Sequence, residues 1–260
     1  MTHTVAAAGW RFSLLELDAL HAPLRWVLPD AAENDLAWLP CHTLLCRRDS
    51  EVMLVDCGLG VFHDAFDDLG VRLVVLDDAL AAAGCSPKEV TTVVLTHLDA
   101  DHAGGILRGT YPDDLAPALP SARVVVLETD DEVGEGGDRV LSTLHGAGVR
   151  VDRLQDGGEV VPGVRLRAAP GHRAGHAWVD FAARPERFVF LADVVHAKEH
   201  VAHPEWDYLH DSEPSVGLAT RRTILRELAG SGAIVACSHV DGFGRIDPRP
   251  AWVDVQVDVA

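Results

Sequence analysis

The sequence predicts an α/β fold in which helices cover sheets, and three observations lead to this prediction. Short apolar runs rich in β-branched residues alternate with helical patterns along the chain. Hydrophobic residues make up 48% of the 260 positions, which is ample for a core. Histidine and aspartate follow several of the apolar runs. In α/β folds, ligand-binding residues gather in this way at the ends of strands. We expect one domain that spans residues 1–260.

The first half of the chain is predicted to consist mainly of strands. Apolar runs predict strands at residues 10–17, 42–58 (two strands with a polar turn between them), 90–97 and 122–128. An alanine-rich stretch at 76–87 predicts a helix, because it begins with acids and is stopped by Gly84 and Pro87.

The second half follows a glycine-rich loop and has the same mixture. Strands are predicted at 148–154, 159–170, 176–183, 187–193 and 233–239, with an edge strand at 251–257. The clearest helix is predicted at 213–229. There Pro214 suits the first turn, apolar residues fall near one face, and Gly230 follows the end.

Composition and charge exclude several classes of partner. The chain has 40 acidic and 22 basic residues, for a net charge of −18, so we expect no nucleic-acid partner. Its five cysteines are odd in number and form no CxxC pair, which predicts reduced thiols in a cytoplasmic protein. The N-terminus shows no signal-peptide pattern, and no apolar run reaches the length of a membrane helix.

Four stretches concentrate histidine and aspartate beside apolar strands or in tight turns. They are THLDADHAGG (96–105), APGHRAGH (169–176), FLADVVH (190–196) and ACSHVDGFG (236–244). Imidazole and carboxylate are ligands that Zn²⁺, Mn²⁺ and Fe²⁺ accept. Crowded carboxylates repel one another, and a divalent cation removes that repulsion. We therefore expect a metal site, with Gly104 and Gly105 letting its loop turn sharply.

An aspartate after a strand can also be a helix N-cap or a turn residue, and for Asp99 alone this alternative stays open. It does not account for all four stretches, because caps need no histidine partners. Isolated histidines are expected to be surface or hydrogen-bonded residues rather than ligands. They are His3, His21, His63, His145, His200 and His210.

Together these motifs resemble the metallo-β-lactamase-fold hydrolase superfamily. VLTHLDADHAGG is similar to its HxHxDH signature, LVDCG (54–58) to its DxG strand end, and PGHRAGH to its PGHxxGH segment. LAD (191–193) is similar to the segment of the bridging aspartate, and SH (238–239) to that of the last histidine. The resemblance covers residues 54–239 in the family's order, and it implies an αββα sandwich with metals at one edge of two sheets.

The resemblance also implies a role for each matching residue. The first metal would be held by His97, Asp99 and His172, the second by Asp101, His102 and His239, with Asp193 bridging them. Asp56 and His176 would support the ligands through hydrogen bonds.

Asp99 is the departure from the family's pattern, because a histidine usually stands there. A carboxylate lowers the net positive charge of the first site and favours harder ions. The cofactors expected are two divalent ions, Zn²⁺ first and Mn²⁺ or Fe²⁺ as alternatives because of Asp99. A working dinuclear site, one tight metal and an impaired site all stay open.

The implied reaction is hydrolysis of an ester-like carboxylic or phosphoric bond by water activated between the two ions. Asp101 would be catalytic, orienting the water and passing a proton to the leaving group. Residues 192–207 and 238–246 resemble the branch that contains lactonases and organophosphate hydrolases. Trp206, Tyr208 and Phe243 are predicted to line an apolar pocket for a small-molecule substrate.

Other functions stay open at this point. The chain could be a thioesterase or phosphodiesterase of the same fold, or a non-catalytic binding protein with an altered metal site. The first 40 residues match no motif. With Trp10 and Trp26 they suit either a lid over the site or a homodimer contact.

Overall fold

The structure is a computed structural model that describes residues 3–256, 258 and 259. In chain order its strands are β1 (His3–Ala7), β2 (Trp10–Pro23), β3 (Leu36–Arg48), β4 (Glu51–Val55), β5 (Val71–Leu73), β6 (Thr92–Val94), β7 (Leu107–Thr110), β8 (Asp114–Pro117), β9 (Arg123–Leu127), β10 (Val151–Leu154), β11 (Gly158–Val161), β12 (Val164–Ala168), β13 (Ala177–Ala183), β14 (Glu186–Phe190), β15 (Ile234–Cys237), β16 (Val240–Ile246), β17 (Trp252–Asp254) and β18 (Asp258–Val259). Its α-helices are α1 (Leu76–Ala82), α2 (Ala100–Ala103), α3 (Gly134–Gly146), α4 (Glu199–Ala202) and α5 (Pro214–Leu228). Short 3-10 turns lie at Leu24–Trp26, Gly60–Phe66, Pro87–Glu89, Gly104–Ile106 and Ala192–Val194.

The strands form two large mixed sheets and one small hairpin. The first sheet has nine strands in the order β10-β9-β6-β4-β3-β2-β1-β18, and β5 pairs with β2 outside this path. The second has seven strands in the order β11-β12-β13-β14-β15-β16-β17, while β7 pairs with β8. Parallel pairs occur in both sheets, at β4·β6, β6·β9, β9·β10 and β14·β15. Parallel strands need crossover connections, and here the crossovers carry the helices.

Three apolar layers hold the sheets and helices together. Leu80 of α1 and Leu144 of α3 pack against the outer face of the first sheet. Phe12 and Phe188 stack in the layer between the two sheets, with ring centroids 3.7 Å apart. Leu225 of α5 packs on the outer face of the second sheet. This order of layers is the αββα sandwich, so the predicted fold class is confirmed.

One edge of the sandwich collects the ends of several strands. β4 leads into Asp56 and β6 leads into His97 from the first sheet. From the second sheet, β12 leads toward His172, β14 toward Asp193 and β15 toward His239. The fold thus brings side chains from both sheets to a common edge, where loops can converge.

Some predicted elements differ from those observed, for local reasons. The region after residue 128 contains helix α3 instead of only a glycine-rich loop, since Val140 and Leu144 bury one face of it. The predicted helix 76–87 ends at Ala82, before Gly84 takes a positive φ of 63°. The predicted strand 159–170 is the hairpin of β11 and β12, which turns at Gly163.

The N-terminal strand β1 and the hairpin of β7 and β8 lack a strong sequence signal and were not predicted. The predicted edge strand 251–257 is observed as β17, although residue 257 lies outside the described residues. In the described part of the chain, none of the helices has both the length and the apolar character that a membrane span needs.

Candidate metal centre

A buried carboxylate holds the loop that follows β6. Asp56 is fully buried and has a positive φ of 63°. Its Oδ1 accepts a hydrogen bond from the backbone N–H of Thr96 at 2.8 Å, and its Oδ2 accepts one from the Thr96 hydroxyl at 2.8 Å. Oδ2 also lies 2.9 Å from Nδ1 of His102. Asp56 therefore fixes both the loop and the imidazole of His102, which is the work of a supporting residue.

The imidazoles of the predicted ligands share one arrangement. In each, Nδ1 has a protein partner and Nε2 points toward the same place. The Nδ1 partners are Thr96 Oγ1 for His97 (3.2 Å), Asp56 Oδ2 for His102 (2.9 Å), Asp211 Oδ1 for His172 (3.0 Å) and the Pro40 carbonyl for His239 (2.7 Å). Metal-binding histidines are typically held in this way, because the second nitrogen fixes the ring.

Buried polar atoms at the centre of this arrangement lack protein partners. Nε2 of His97, Nε2 of His102 and Oδ1 of Asp193 are buried and make no hydrogen bond to any described residue. Leaving such atoms unpaired is costly, whereas coordination of a cation would satisfy them. The residues present therefore fit a metal ion.

The two oxygens of Asp193 divide the cluster into two positions. Oδ1 lies 3.3 Å from Nε2 of His102 and 3.5 Å from Nε2 of His239. Oδ2 lies 3.3 Å from Nε2 of His172 and 4.0 Å from Nε2 of His97. One carboxylate thus faces two groups of imidazoles, as a bridging ligand does. The group of His97 and His172 is the first metal position, and the group of His102 and His239 is the second.

The second position has four short contacts between carboxylate oxygens and imidazole nitrogens. Oδ2 of Asp101 lies 3.6 Å from Nε2 of His102 and 3.5 Å from Nε2 of His239. With the two contacts of Asp193 Oδ1, these four carboxylate–imidazole separations run from 3.3 to 3.6 Å. Ligands held at metal-bond length in a tetrahedron lie about 3.3–3.6 Å apart. The four contacts therefore have the length that ligands of a shared ion need.

The first position is wider. Oδ2 of Asp99 lies 3.9 Å from Nε2 of His97 and 4.0 Å from Nε2 of His172. Asp99 stands at the N-cap position of α2, but its side chain makes no capping hydrogen bond there. Its carboxylate instead contacts Arg173 at 2.8 Å. Asp99 is therefore not a helix cap, and it already has a cationic partner.

The pKa values of the cluster reflect its attraction for positive charge. Burial would raise the pKa of Asp193, but the imidazoles of His102, His239 and His196 hold that pKa well below its ordinary value. Burial would lower the pKa of His102, but the carboxylates of Asp193, Asp101 and Asp56 hold it well above its ordinary value. The same carboxylates would stabilise a divalent cation.

His176 lies behind the cluster and has both ring nitrogens occupied. Its Nδ1 lies 2.8 Å from the carbonyl oxygen of Ala169, and its Nε2 accepts from the backbone N–H of Asp193 at 3.3 Å. Burial, with the neighbouring His172, lowers the pKa of His176 to about 3. A neutral His176 thus orients the backbone of Asp193, and neither of its nitrogens is left for a metal.

Sequence reasoning missed several residues that the structure brings to this centre. His196 is buried, with Nε2 3.2 Å from Oδ2 of Asp193 and its ring stacked on Tyr208. The sequence feature that could have indicated this contact is the position of His196 three residues after Asp193. Cys41 of β3 has its Sγ 3.9 Å from Oδ2 of Asp101. No sequence pattern indicates the contacts of Cys41 with Asp101 or of Asp211 with His172, because the partners are distant along the chain.

A cleft of about 430 Å³ opens onto the cluster. One wall is apolar and comes largely from the N-terminal region. It is formed by Leu20, Trp26, Val27, Leu39 and Phe66. Tyr208 lines the cleft as predicted, beside His172, Asp193, His196 and His239. Part of the unassigned N-terminal segment thus forms a wall of the cleft.

The other two predicted pocket residues, Phe243 and Trp206, lie outside the cleft, so the prediction is wrong for them. Phe243 is 1% exposed and packs against Phe188 in the core between the sheets, because β16 points it inward. Trp206 stacks on His203, with ring centroids 4.4 Å apart, and is absent from the cleft lining. Its backbone carbonyl accepts a hydrogen bond from the buried Arg221.

Comparison with known proteins gives one family and several relatives. The family described as "Metallo-beta-lactamase superfamily" matches residues 36–239. An N-acyl homoserine lactonase of Bacillus sp. is 24% identical over 156 residues, which are 55% of this chain and 58% of that protein. A lactonase of the same description from Bacillus thuringiensis is 23% identical over 176 residues, 62% of this chain and 66% of that protein. The chain thus spans less than two thirds of the length of these two curated relatives.

A shorter stretch of 80 residues is 38% identical to a probable metallo-hydrolase of Mycobacterium tuberculosis and covers 26% of each protein. Among solved structures, the dizinc quorum-quenching lactonase AidC, in complex with a product, has a TM-score of 0.82 at 17% identity, with 99% of this chain and 98% of that chain covered. The hydrolase AbOPH has a TM-score of 0.78 at 21% identity, with 99% and 98% covered. At these identities the structural likeness shows the fold.

Proposed function

The chain belongs to the metallo-β-lactamase superfamily, and from that premise we propose that it is a metal-dependent hydrolase that opens an ester-like bond, with an N-acyl lactone as the preferred substrate class. The observation that carries the proposal is the cluster itself. Ligand atoms that lack a hydrogen-bond partner among the described residues gather at Asp193, which lines a cleft with an apolar wall. Curated relatives named as lactonases support the substrate class.

Two groups of residues would hold the ions. His97, His172 and one oxygen of Asp193 would hold the first, with Asp99 contributing a carboxylate. The second would be held by Asp101, His102, His239 and the other oxygen of Asp193. When bound, a pair of divalent ions supplies Lewis-acid chemistry, because it lowers the pKa of water and polarises a carbonyl.

The chain's own residues perform the remaining tasks. Asp101 places a carboxylate at the edge of the cleft, where it would orient the attacking water, accept the proton that this water loses on adding to the carbonyl, and pass that proton to the alkoxide that leaves as the C–O bond breaks. Asp56 and Asp211 keep the imidazoles of His102 and His172 in one orientation, so the site needs little rearrangement on binding.

The cleft favours a substrate with one polar and one apolar end. A lactone or similar ester would sit at the polar floor, and an acyl chain would lie along Trp26, Leu39 and Phe66. The net charge of −18 disfavours a polyanionic substrate such as RNA. A phosphodiesterase acting on nucleic acid is therefore the weaker alternative.

The test is hydrolysis by the purified protein before and after metal removal. The panel is a short-chain and a long-chain N-acyl homoserine lactone, an aryl lactone, an aryl phosphotriester and an acyl thioester. We expect the long-chain acyl lactone to have the highest kcat/KM, and removal of metal by a chelator to lower it at least 100-fold.

Re-addition of Zn²⁺ or Mn²⁺ should restore the rate, and Leu39→Ala should raise KM for the long chain more than for the short one. Activity that survives complete metal removal would contradict the hydrolase mechanism. Preference for the thioester or the phosphotriester would contradict the lactone assignment alone.

A further inference from the structure

The carboxylate of Asp99 has a partner of opposite charge within the chain. Nε of Arg173 lies 2.8 Å from Oδ2 of Asp99, and the two side chains are 33% and 29% exposed. A pair this short is a close ion pair, in which the guanidinium attracts the carboxylate. Arg173 immediately follows the candidate ligand His172 in PGHRAGH. Asp99, which stands where the family usually has a histidine, thus forms an ion pair with Arg173 beside the candidate metal cluster.

The oxygen that Arg173 contacts is the one that faces the first metal position. Oδ2 of Asp99 lies 3.9 Å from Nε2 of His97 and 4.0 Å from Nε2 of His172. An ion in that position and the guanidinium of Arg173 would share a single oxygen. They would also stand close together as two positive charges, which repel each other.

Arg173 cannot easily leave this place. One terminal nitrogen, Nη1, donates to the backbone carbonyl of His172 at 3.0 Å and also to the backbone carbonyl of His210. A guanidinium keeps its charge at ordinary pH, and its planar fork holds several acceptors at once. The positive charge beside Asp99 is therefore a fixed feature of the fold.

The second metal position differs in this respect. Oδ2 of Asp101 has two ion-pair contacts among the described residues, with His102 at 3.6 Å and His239 at 3.5 Å. Both are imidazoles that the proposed function assigns as ligands of the same ion. The carboxylate–imidazole contacts there are also shorter, since Asp101 and Asp193 lie 3.3–3.6 Å from the two imidazoles.

We propose that Arg173 makes the first metal position the weaker of the two, so that the protein binds two divalent ions with unequal affinity. Arg173 does this by holding the Asp99 carboxylate and by placing a permanent positive charge next to the ion. The inference rests on the proposed metal-dependent function and assigns a role that the family's motif does not contain. Arg173 thereby sets how readily the first ion exchanges.

The test measures stepwise Zn²⁺ binding to the full chain by competition with a chromophoric chelator, with metal content measured after dialysis. In the wild type we expect two dissociation constants that differ at least tenfold. Arg173→Gln removes the charge and keeps an amide donor of similar reach. It should tighten the weaker site at least tenfold and leave the tighter site unchanged.

Two further variants separate the pair from its surroundings. In the Asp99→Ala background, Arg173→Gln should have a much smaller effect, because the shared oxygen is gone. Arg123→Gln is the matched control, since Arg123 pairs with Asp152 away from the cluster. It should change neither constant. Circular dichroism and thermal unfolding of each variant show whether it is folded, and Arg173→Leu is the second variant if Arg173→Gln is not.

The inference is overturned if Arg173→Gln leaves both constants unchanged, or weakens the first site as loss of a supporting residue would. Two equal constants in the wild type would also overturn it, and neither result would touch the proposed function. A wild-type protein that takes up no ion would overturn the proposed function and this inference together.

Discussion

At the scale of single residues, Asp18 shows how the fold buries a carboxyl group beside the site. Asp18 lies in β2 and is 2% exposed. Its Oδ2 accepts a hydrogen bond from the backbone N–H of Leu59 at 2.7 Å, while Oδ1 has no partner among the residues described. Burial raises the pKa of Asp18 to about 7, with a further increase from Asp101 and opposing effects of Leu59, Val74 and His63.

This raised pKa predicts a pH-dependent stability. The folded state binds the Asp18 proton more tightly than the unfolded state, so stability falls as pH rises from about 4 to about 7 and is then level. Asp18→Asn cannot ionise and keeps an acceptor for Leu59. It should gain about 2 kcal/mol relative to wild type between pH 5 and pH 8.

Urea unfolding at the two pH values measures this difference, and Asp113→Asn, at an exposed turn, is the matched control. The control keeps Asp18, so it should lose stability between the two pH values as wild type does. An equal offset between wild type and Asp18→Asn at both pH values would mean that Asp18 does not titrate in this range.

At the scale of elements, the loop that carries the candidate ligands packs directly on the backbone of another loop. A Cβ on Gly104 would lie 1.8 Å from the carbonyl oxygen of Leu59, and one on Gly105 would lie 1.9 Å from that of Cys57. Neither glycine has a positive φ. The sequence pointed to the correct residues for the wrong reason, since they permit a close approach rather than a sharp turn.

This close packing predicts that one added methyl group will lower the stability of the fold substantially. Gly105→Ala should destabilise the protein by about 3 kcal/mol or more, because the clash is with backbone atoms that cannot move aside. Gly146→Ala is the control, since it lies at the end of α3 with open space around its Cβ. Urea unfolding should show little loss or a small gain for that control. Similar stabilities for the two variants would show that the loops can separate.

How far elements could be predicted follows from the strength of their local patterns. The long apolar strands β2, β3 and β13 and the amphipathic helix α5 were recognisable because periodicity and turn residues agreed. Helix α3 was missed because Gly134, Gly136 and Gly137 stand in its first turns and suggest a loop. Tertiary packing stabilises the helix there. Gly137 is buried, and a Cβ added to it would lie 2.9 Å from Leu98.

At the scale of the whole molecule, the site was predictable only where a motif marked it. The candidate ligands stand in short segments with recognisable spacing, and the structure places them together. Arg173, Asp211 and Cys41 could not be assigned from sequence, because their partners depend on how distant loops fold. The cleft wall could not be predicted for the same reason, because Trp26 joins that wall only through the packing of the N-terminal strands.

The candidate ligands also join the two halves of the sandwich. His97, Asp101 and His102 follow strand β6 of the first sheet, whereas His172, Asp193 and His239 follow strands of the second. Ions bound between them would tie the sheets together at one edge and neutralise the repulsion among the carboxylates. Ligands that bind the native state alone stabilise it by mass action, by about 4 kcal/mol when free ligand exceeds the dissociation constant a thousandfold.

Metal removal should therefore lower the thermal stability of the whole molecule. For a chain of this size about 4 kcal/mol corresponds to a decrease in Tm on the order of 10 °C. Differential scanning calorimetry with and without a chelator measures the decrease, and re-addition of Zn²⁺ should reverse it. The combined variant His102→Ala and His239→Ala removes imidazoles of the tighter position, so the chelator should then have a much smaller effect. A Tm that is the same with and without the chelator would mean that the sheets do not depend on bound ions for their association at this edge.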